Sequence, residues 1–413
     1  MAEVIPFRGI CFNPRKVEAA MVTAPPYDII SPEMRKALYL KSLYNIARID
    51  AGEDLPGDTG DENKYTRAAE LFQEWLDEGV LKGQDQECFY AYETEYISGG
   101  EKKTLKGFFG LVRLEPFGSG SIYPHEATHS KARTDRLNLL KATRANTSPV
   151  FSIYDSPDGG ASRAVDQAVC RPPFLEAPDP DGFKHKLWVI DQPADIEAIK
   201  SDLRDKPVFI ADGHHRYETA LENKRQMCGS GCNGDEHYNY VLMFLANISG
   251  GGLTILPTHR LVETGRANEL PDCLAQYFDI EQLRPDEDMP GAIRPGKDRN
   301  VLGLLTGKGK YRLAFRDIGK DLLHVHPSLK HLDVVILHEL VFKKLFHPDR
   351  VVYEMSAPLA EAQVAEGLYQ AAFFLNPTGV ADVKEAALAG QRMPPKSTYF
   401  YPKIMTGFVM SRF

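Results

Sequence analysis

The stretch KPVFIADGHHRYETALENKRQM, residues 206–227, brings together Asp212, Gly213, His214, His215 and Arg216. Val208 to Ile210 is apolar and rich in strand formers, Gly213 interrupts the run, and good helix formers follow from Tyr217. The order strand, glycine turn, helix places these side chains where the first N–H groups of a helix lack intrahelical partners. Such a start attracts anions through its donors and dipole, and an arginine fork adds recognition of phosphate. Asp212, Gly213, His214, His215 and Arg216 are therefore the candidates for an anion site at this helix start. The plainer alternative is a capped helix whose polar first turn faces water.

Three further groups of residues carry chemistry. His125-Glu126-Ala127-Thr128-His129 fits H-E-x-x-H, which on a helix binds zinc through both His while the Glu polarises water. Pro124 puts this pattern at a helix boundary or in a loop, so a zinc peptidase through His125, Glu126 and His129 stands only as an alternative. Glu126, Lys131, Asp135 and Arg136 then surround the start of a basic helix. They are either a solvated face or a second set of phosphate contacts, with Glu126 as Mg²⁺ ligand or proton acceptor. Lys396, Ser397, Thr398 and Lys403 follow Pro394-Pro395. Two lysines and two hydroxyls in a rigid stretch suit closure over a phosphate, or the polar side of an edge strand.

Two look-alikes are set aside. GLLTGKGK (303–310) falls one residue short of P-loop spacing and has Gly309 where a hydroxyl should bind Mg²⁺, so it reads as a hairpin turn. Cys228 and Cys232 with His237 lack a fourth ligand and read as a Gly/Ser loop.

The elements that must position these groups alternate in type. Ile5 to Phe12 reads as a strand, Ser31-Pro32 with Glu33 as a helix start, and Tyr65 to Glu78 as a helix ended by Gly79. Pro25-Pro26 stiffens the chain before Tyr27 and Asp28, and Asp28 is a further candidate carboxylate. CFYAYETEYI and LKGFFGLVRL form a hairpin about SGGEKKT. Strands are expected in SPVFSIY, GFKHKLWVID and YVLMFLANI, and an amphipathic helix in LDVVILHELVFKKLF. Hairpins are prominent and no regular βαβ series appears, so the fold class is α+β, or mixed α/β. Two regions are expected: 1–265, with insertions (a hairpin and a basic helix) near 88–145, and 266–413, an α/β extension whose last segment is a candidate to return to the site.

A chain of 413 residues with 43% hydrophobic and 26% charged residues is long enough to bury a large core. Its net charge of −8 argues against nonspecific nucleic-acid binding, so no nucleic-acid partner is expected. No signal peptide is visible, and no apolar run approaches the roughly 20 residues of a membrane helix. Six scattered cysteines suit reduced thiols, so the protein is expected to be cytoplasmic, with no membrane partner.

The blocks PFRGI, PPYDIIS, PHEATHSKARTDRL, ADGHHRYETAL, ILPTHRLV, FFLNPT and MPPKSTYFYPK, in that order, resemble a widespread bacterial and archaeal domain family of unknown function. Within them, IADGHHRYETA is similar to the central box of the ParB/sulfiredoxin superfamily, whose box opens a helix on nucleotide phosphates. That resemblance implies a ParB/sulfiredoxin-like core, with large insertions and a C-terminal α/β extension. It puts Gly213, His214, His215 and Arg216 at phosphate. His214 and His215 stand where sulfiredoxin carries its catalytic Cys, and no DNA-binding helical domain like that of the partition proteins is evident. The free serine kinase branch is left. It implies ATP or ADP with Mg²⁺ and phosphate transfer to a small hydroxylated metabolite, with Glu126, Asp212 and His215 as the catalytic candidates and Glu126 and Asp212 as the metal candidates. The rival from another class is a nucleotide-sensing regulator without turnover.

Overall fold

The computed structural model describes residues 2–127, 130–157, 159–228, 234 and 236–413, with backbone only at 130–132 and 296–298. The chain folds into two compact units. The first comprises 1–124, 128–254 and 402–413, and the second comprises 125–127 and 255–401.

The first unit is built on a mixed sheet. Its strand order is Ile122–Tyr123, Val208–Asp212, Val150–Tyr154, Tyr240–Asn247, Glu101–Arg113, Phe89–Ser98, Lys184–Ile190 and Leu175–Pro178. The pairs Val208–Asp212 with Ile122–Tyr123 and Tyr240–Asn247 with Val150–Tyr154 are parallel. The expected hairpin is present, its strands joined by Gly99 and Gly100 at φ 62° and 81°, the left-handed region that suits a tight turn. Central strands are apolar on both faces, as Tyr240–Asn247 shows, because helices and loops cover both sides. The helices Gly160–Val169 and Pro193–Leu203 contribute Ala161, Ala164, Ile199 and Leu203 to the core with Phe108, Trp188 and Val241. A second core joins Phe12, Val22 and Ile46 to Phe72 and Trp75 of the helix Lys64–Asp77.

One expected strand is divided. Val4–Ile5 pairs with Leu111 and Val112, whereas Ile10–Phe12 pairs with Leu81–Gly83. Pro6 has no N–H to continue a ladder, and Gly9 turns the chain against Tyr90, donating its N–H to the Tyr90 hydroxyl at 2.7 Å.

The second unit holds an antiparallel six-stranded sheet in the order Phe278–Gln282, Gly309–Phe315, Val301–Thr306, Ala371–Phe374, His259–Glu263 and Arg350–Glu354. GLLTGKGK is the hairpin turn expected of it, with Gly309 at φ 140°. The expected amphipathic helix is only in part α-helical. Asp333–Val335 runs into a π-helix over Ile336–Leu345, with Ile336, Leu337, Leu340 and Val341 buried. Helices combined with a mixed sheet in the first unit and an antiparallel sheet in the second make the fold α+β.

Cysteine usage departs from expectation at one position. Cys11, Cys88, Cys170 and Cys273 are free thiols, but Cys228 is disulfide-bonded and so offers no thiolate to a metal. Cys232 lies outside the described residues. Among the described residues, no helix is long and apolar enough to cross a membrane.

Candidate functional site

In the first unit the strand Val208–Asp212 runs into the helix His214–Met227 through Gly213, whose φ of 88° places it in the left-handed region. The strand's register against Val150–Tyr154 shifts between Ile210 and Asp212, and a bulge of this kind re-aims the side chain at a strand end. The Asp212 carboxylate is the hub of the turn. Its Oδ1 accepts the Gly213 N–H at 2.9 Å. Its Oδ2 lies 3.0 Å from Lys403 Nζ and 3.8 Å from Arg216 Nη2.

Arg216 folds back over the helix start. A Cβ at position 213 would lie 2.8 Å from its Nε and 3.0 Å from its Cζ, so only glycine leaves room for the guanidinium there. Arg216 Nη1 donates to the Pro149 carbonyl, and the side chain is 11% exposed. Two cations thus share one carboxylate at the positive end of a helix. Of the two histidines between them, His214 is buried and His215 half-buried.

Arg136, on the helix Ser130–Thr143 that packs against His214–Met227, reaches the same region. Its Nη1 donates to the Asp50 carbonyl at 2.7 Å, and its Nε and Nη2 meet Asp135 Oδ2 at 3.0 and 2.6 Å. Burial works against this charge, yet Asp50 and Asp135 hold the guanidinium above its ordinary pKa. Tyr27 stacks on it at 3.8 Å. Burial pushes the Tyr27 phenol up to about 12, against the pull of Arg136 and Arg216. Arg136 and Arg216 line one small cavity together with Asp50, Thr147, Ser148 and Thr219. Lys131 lies on the backbone of the same helix; its side chain is outside the described part.

Asp28 is exposed in the short helical turn Tyr27–Ile29 of the first unit, and the remaining candidates belong to the second unit. His125 and Glu126 are not helical: Glu126 forms a parallel bridge with Met393, and the nearest helix begins at Ser130. The helical face that H-E-x-x-H needs for zinc is therefore missing at its first two positions, and His129 lies outside the described residues. His125 is fully buried, its Nε2 2.8 Å from Thr398 Oγ1. Glu126 Oε1 accepts both the N–H and the hydroxyl of Thr398, at 3.1 and 3.0 Å. Lys396 is exposed in a left-handed conformation at φ 56°, and Ser397 closes its own turn on the Pro394 carbonyl at 2.6 Å.

Arg260, 1% exposed, supports this turn by donating Nη2 to the Lys396 carbonyl at 2.9 Å. Its Nε donates to His338 Nε2 at 3.2 Å. Burial lowers the Arg260 pKa to about 10 and that of His338 to about 3. Burial also brings His259 to about 4, and its Nδ1 accepts the Leu375 N–H at 3.3 Å.

The structure thus gathers Asp212, Gly213 and Arg216 with Lys403, and Arg136 with Arg216, in one unit. In the other it gathers His125 and Glu126 with Thr398. Sequence reasoning missed Asp50, Thr147 and Ser148. Asp50 ends the mixed run ARID and Thr147-Ser148 precede the strand beginning at Val150, and neither stretch carries a pattern that marks them. Among the described residues, no group of three or more His, Cys, Asp or Glu could hold a metal.

Solved structures with a related course of chain include a free serine kinase in complex with AMP, at 11% identity and TM-score 0.36, covering 70% of this chain and 89% of that one. SbnI with C-terminal truncation, from Staphylococcus aureus, overlaps at 11% identity and TM-score 0.38, covering 72% and 85%. A conserved hypothetical protein from Pyrococcus furiosus overlaps at 12% and 0.36, covering 70% and 92%. Overlap of this extent carries no argument about ligands or activity. No curated protein matches the chain. The family model described as "Protein of unknown function (DUF1015)" matches residues 4–335, most of the sequence, and the chain belongs to that family.

Proposed function

We propose that the first unit binds the phosphates of a nucleotide, ATP or ADP, and that the protein is a Mg²⁺-dependent phosphotransferase acting on a small hydroxylated metabolite. One observation carries the reading. At the start of the helix His214–Met227, Arg216 lies in contact with a left-handed Gly213 while Lys403 and Arg216 share the single carboxylate of Asp212. The positive end of a helix, a guanidinium fork and an ammonium suit a phosphate chain better than any uncharged ligand. The similarity of IADGHHRYETA to the phosphate-binding box of the ParB/sulfiredoxin superfamily supports the same reading.

In this reading Gly213, His214, His215 and Arg216 hold phosphate oxygens and Lys403 neutralises charge that builds up on them. Magnesium needs only one or two carboxylates when phosphates complete its shell, and Asp212 would supply one. The bound metal would neutralise charge on the phosphates. The bond from the terminal phosphorus to its bridging oxygen breaks, the acceptor oxygen bonds to that phosphorus, and the acceptor's proton passes to a carboxylate. Catalysis then rests on positioning and charge neutralisation. The test is ADP formation from ATP and Mg²⁺ with L-serine, L-homoserine or glycerol as acceptor. Acceptor-dependent ADP is expected. Nucleotide binding with no turnover would make the protein a nucleotide-responsive regulator, and no nucleotide binding would end the reading altogether.

A further inference from the structure

Beside the helix start, a cavity of about 30 Å³ is lined by Asp50, Arg136, Thr147, Ser148, Arg216 and Thr219. Asp50 is 2% exposed. Its Oδ1 accepts from Thr147 Oγ1 at 2.7 Å, Ser148 Oγ at 3.3 Å and Arg136 Nη1 at 3.4 Å. Its Oδ2 is buried and has no hydrogen-bond partner among the described residues, and neither has Arg216 Nε. Two residues lining one cavity therefore carry, one an acceptor without a donor, and the other a donor without an acceptor. Leaving either group unsatisfied costs about 1–3 kcal/mol, so such a pair is characteristic of a built polar subsite.

We infer that this cavity is the subsite for the hydroxyl of the acceptor substrate, with Asp50 and Arg216 determining specificity. The inference rests on the phosphotransferase reading above. A hydroxyl is both donor and acceptor, so a single O–H satisfies both orphans, donating to Asp50 Oδ2 and accepting from Arg216 Nε. A carboxylate or a fully deprotonated phosphate cannot donate to Asp50, and an ammonium cannot accept from Arg216. The volume exceeds the roughly 10–15 Å³ that one water needs, and it suits a CH₂OH group but not a sugar ring. Arg216 also belongs to the phosphate-binding turn, so a hydroxyl held on its Nε lies next to the group it would attack. Asp50 keeps the other side in place by tying Thr147, Ser148 and Arg136 to one carboxylate oxygen. Water has the same hydrogen-bonding capacity as an alcohol, and the experiment separates the two.

Wild type, Asp50→Asn and Thr219→Leu are assayed as full chains for ADP formation from ATP and Mg²⁺, with L-serine, L-homoserine, glycerol or water alone. ATP binding is measured calorimetrically in parallel. At least one alcohol should accelerate ADP release. Asp50→Asn should raise that alcohol's KM by about tenfold or more, with the KM for ATP changed by less than about twofold. Thr219→Leu, which fills the cavity from the helix side and leaves Asp50 intact, should do the same, so the test survives a poorly folding Asp50 variant. An unchanged acceptor KM in either folded variant overturns the inference. So does a wild-type ADP rate that no alcohol alters, which would assign the cavity to water. Loss of ATP binding by wild type would instead overturn the phosphotransferase reading itself.

Discussion

Gly213→Ala probes the turn proposed to bind phosphate. At φ 88° an alanine pays about 1–2 kcal/mol for the left-handed conformation. Its Cβ would also stand 2.8 Å from Arg216 Nε, closer than non-bonded atoms approach. The guanidinium can move only by giving up the Pro149 carbonyl and the Asp212 ion pair. A hydrogen bond from a charged donor contributes about 1.5–3 kcal/mol, so the whole substitution should cost about 2.5–5 kcal/mol. Gly57→Ala is the control, since Gly57 has φ 103° and open space where the added methyl would sit, so it feels backbone strain alone. Urea unfolding of the two variants should differ by about 1.5–3 kcal/mol, with Gly213→Ala the less stable. Calorimetry with ATP should show binding weakened in Gly213→Ala and unaltered in Gly57→Ala. Equal unfolding costs and equal ATP affinities would refute the claim that Gly213 is needed to seat Arg216.

Three other substitutions test neighbouring parts of the structure. Tyr92 donates its hydroxyl to His185 Nδ1 at 2.5 Å and accepts the Met405 N–H at 3.3 Å, while His185 Nε2 meets Asp179 at 3.1 Å. Tyr92→Phe leaves two buried groups unpaired and should cost about 1–3 kcal/mol in urea unfolding. It should also lower ATP affinity, because Met405 is two residues from Lys403. Glu126→Gln keeps an acceptor for Thr398 but removes the charge. Turnover lost with unchanged melting would mark Glu126 as catalytic, and lowered melting with unchanged turnover would mark it as a latch for Thr398. His259 and His338 are held neutral by burial, with folded pKa values near 4 and 3 against an ordinary 6.5. The unfolded chain therefore binds more protons below pH 6.5, and the stability these groups contribute at neutral pH is lost as pH falls towards 4 and 3. Unfolding followed at pH 7 and pH 5 should show a loss of about 2 kcal/mol from His259, removed by His259→Asn.

Much of the local structure was legible because periodicity and turn chemistry agree. The Gly99-Gly100 hairpin, the Ser31 cap that accepts the Met34 N–H and the Gly213 turn each follow from residues adjacent in sequence. What could not be read depends on residues far apart. Asp50 meets Thr147 and Arg136 across nearly a hundred positions, and Lys403 meets Asp212 across 191. Neither meeting leaves a local pattern. Arg136 illustrates the other difficulty. Its type and place on a basic helix suggested phosphate, whereas in the fold it is held by Asp50, Asp135 and the Tyr27 ring. The interior of LDVVILHELVFKKLF has helical spacing, but hydrogen bonds that span one residue more distinguish π from α, and packing decides that.

The most direct test of the proposed phosphate site is the melting temperature of wild type and Arg216→Ala with ATP and ADP, each with and without Mg²⁺. A ligand that binds only the folded state raises the melting temperature by mass action, so no acceptor needs to be known. Wild type should show a clear rise with at least one nucleotide. Arg216→Ala should need about tenfold to a hundredfold more nucleotide for the same rise, the equivalent of losing a charge-assisted contact to phosphate. Equal shifts in the two proteins would contradict the assignment of Arg216, and no shift in wild type at millimolar nucleotide would contradict the phosphate site as a whole.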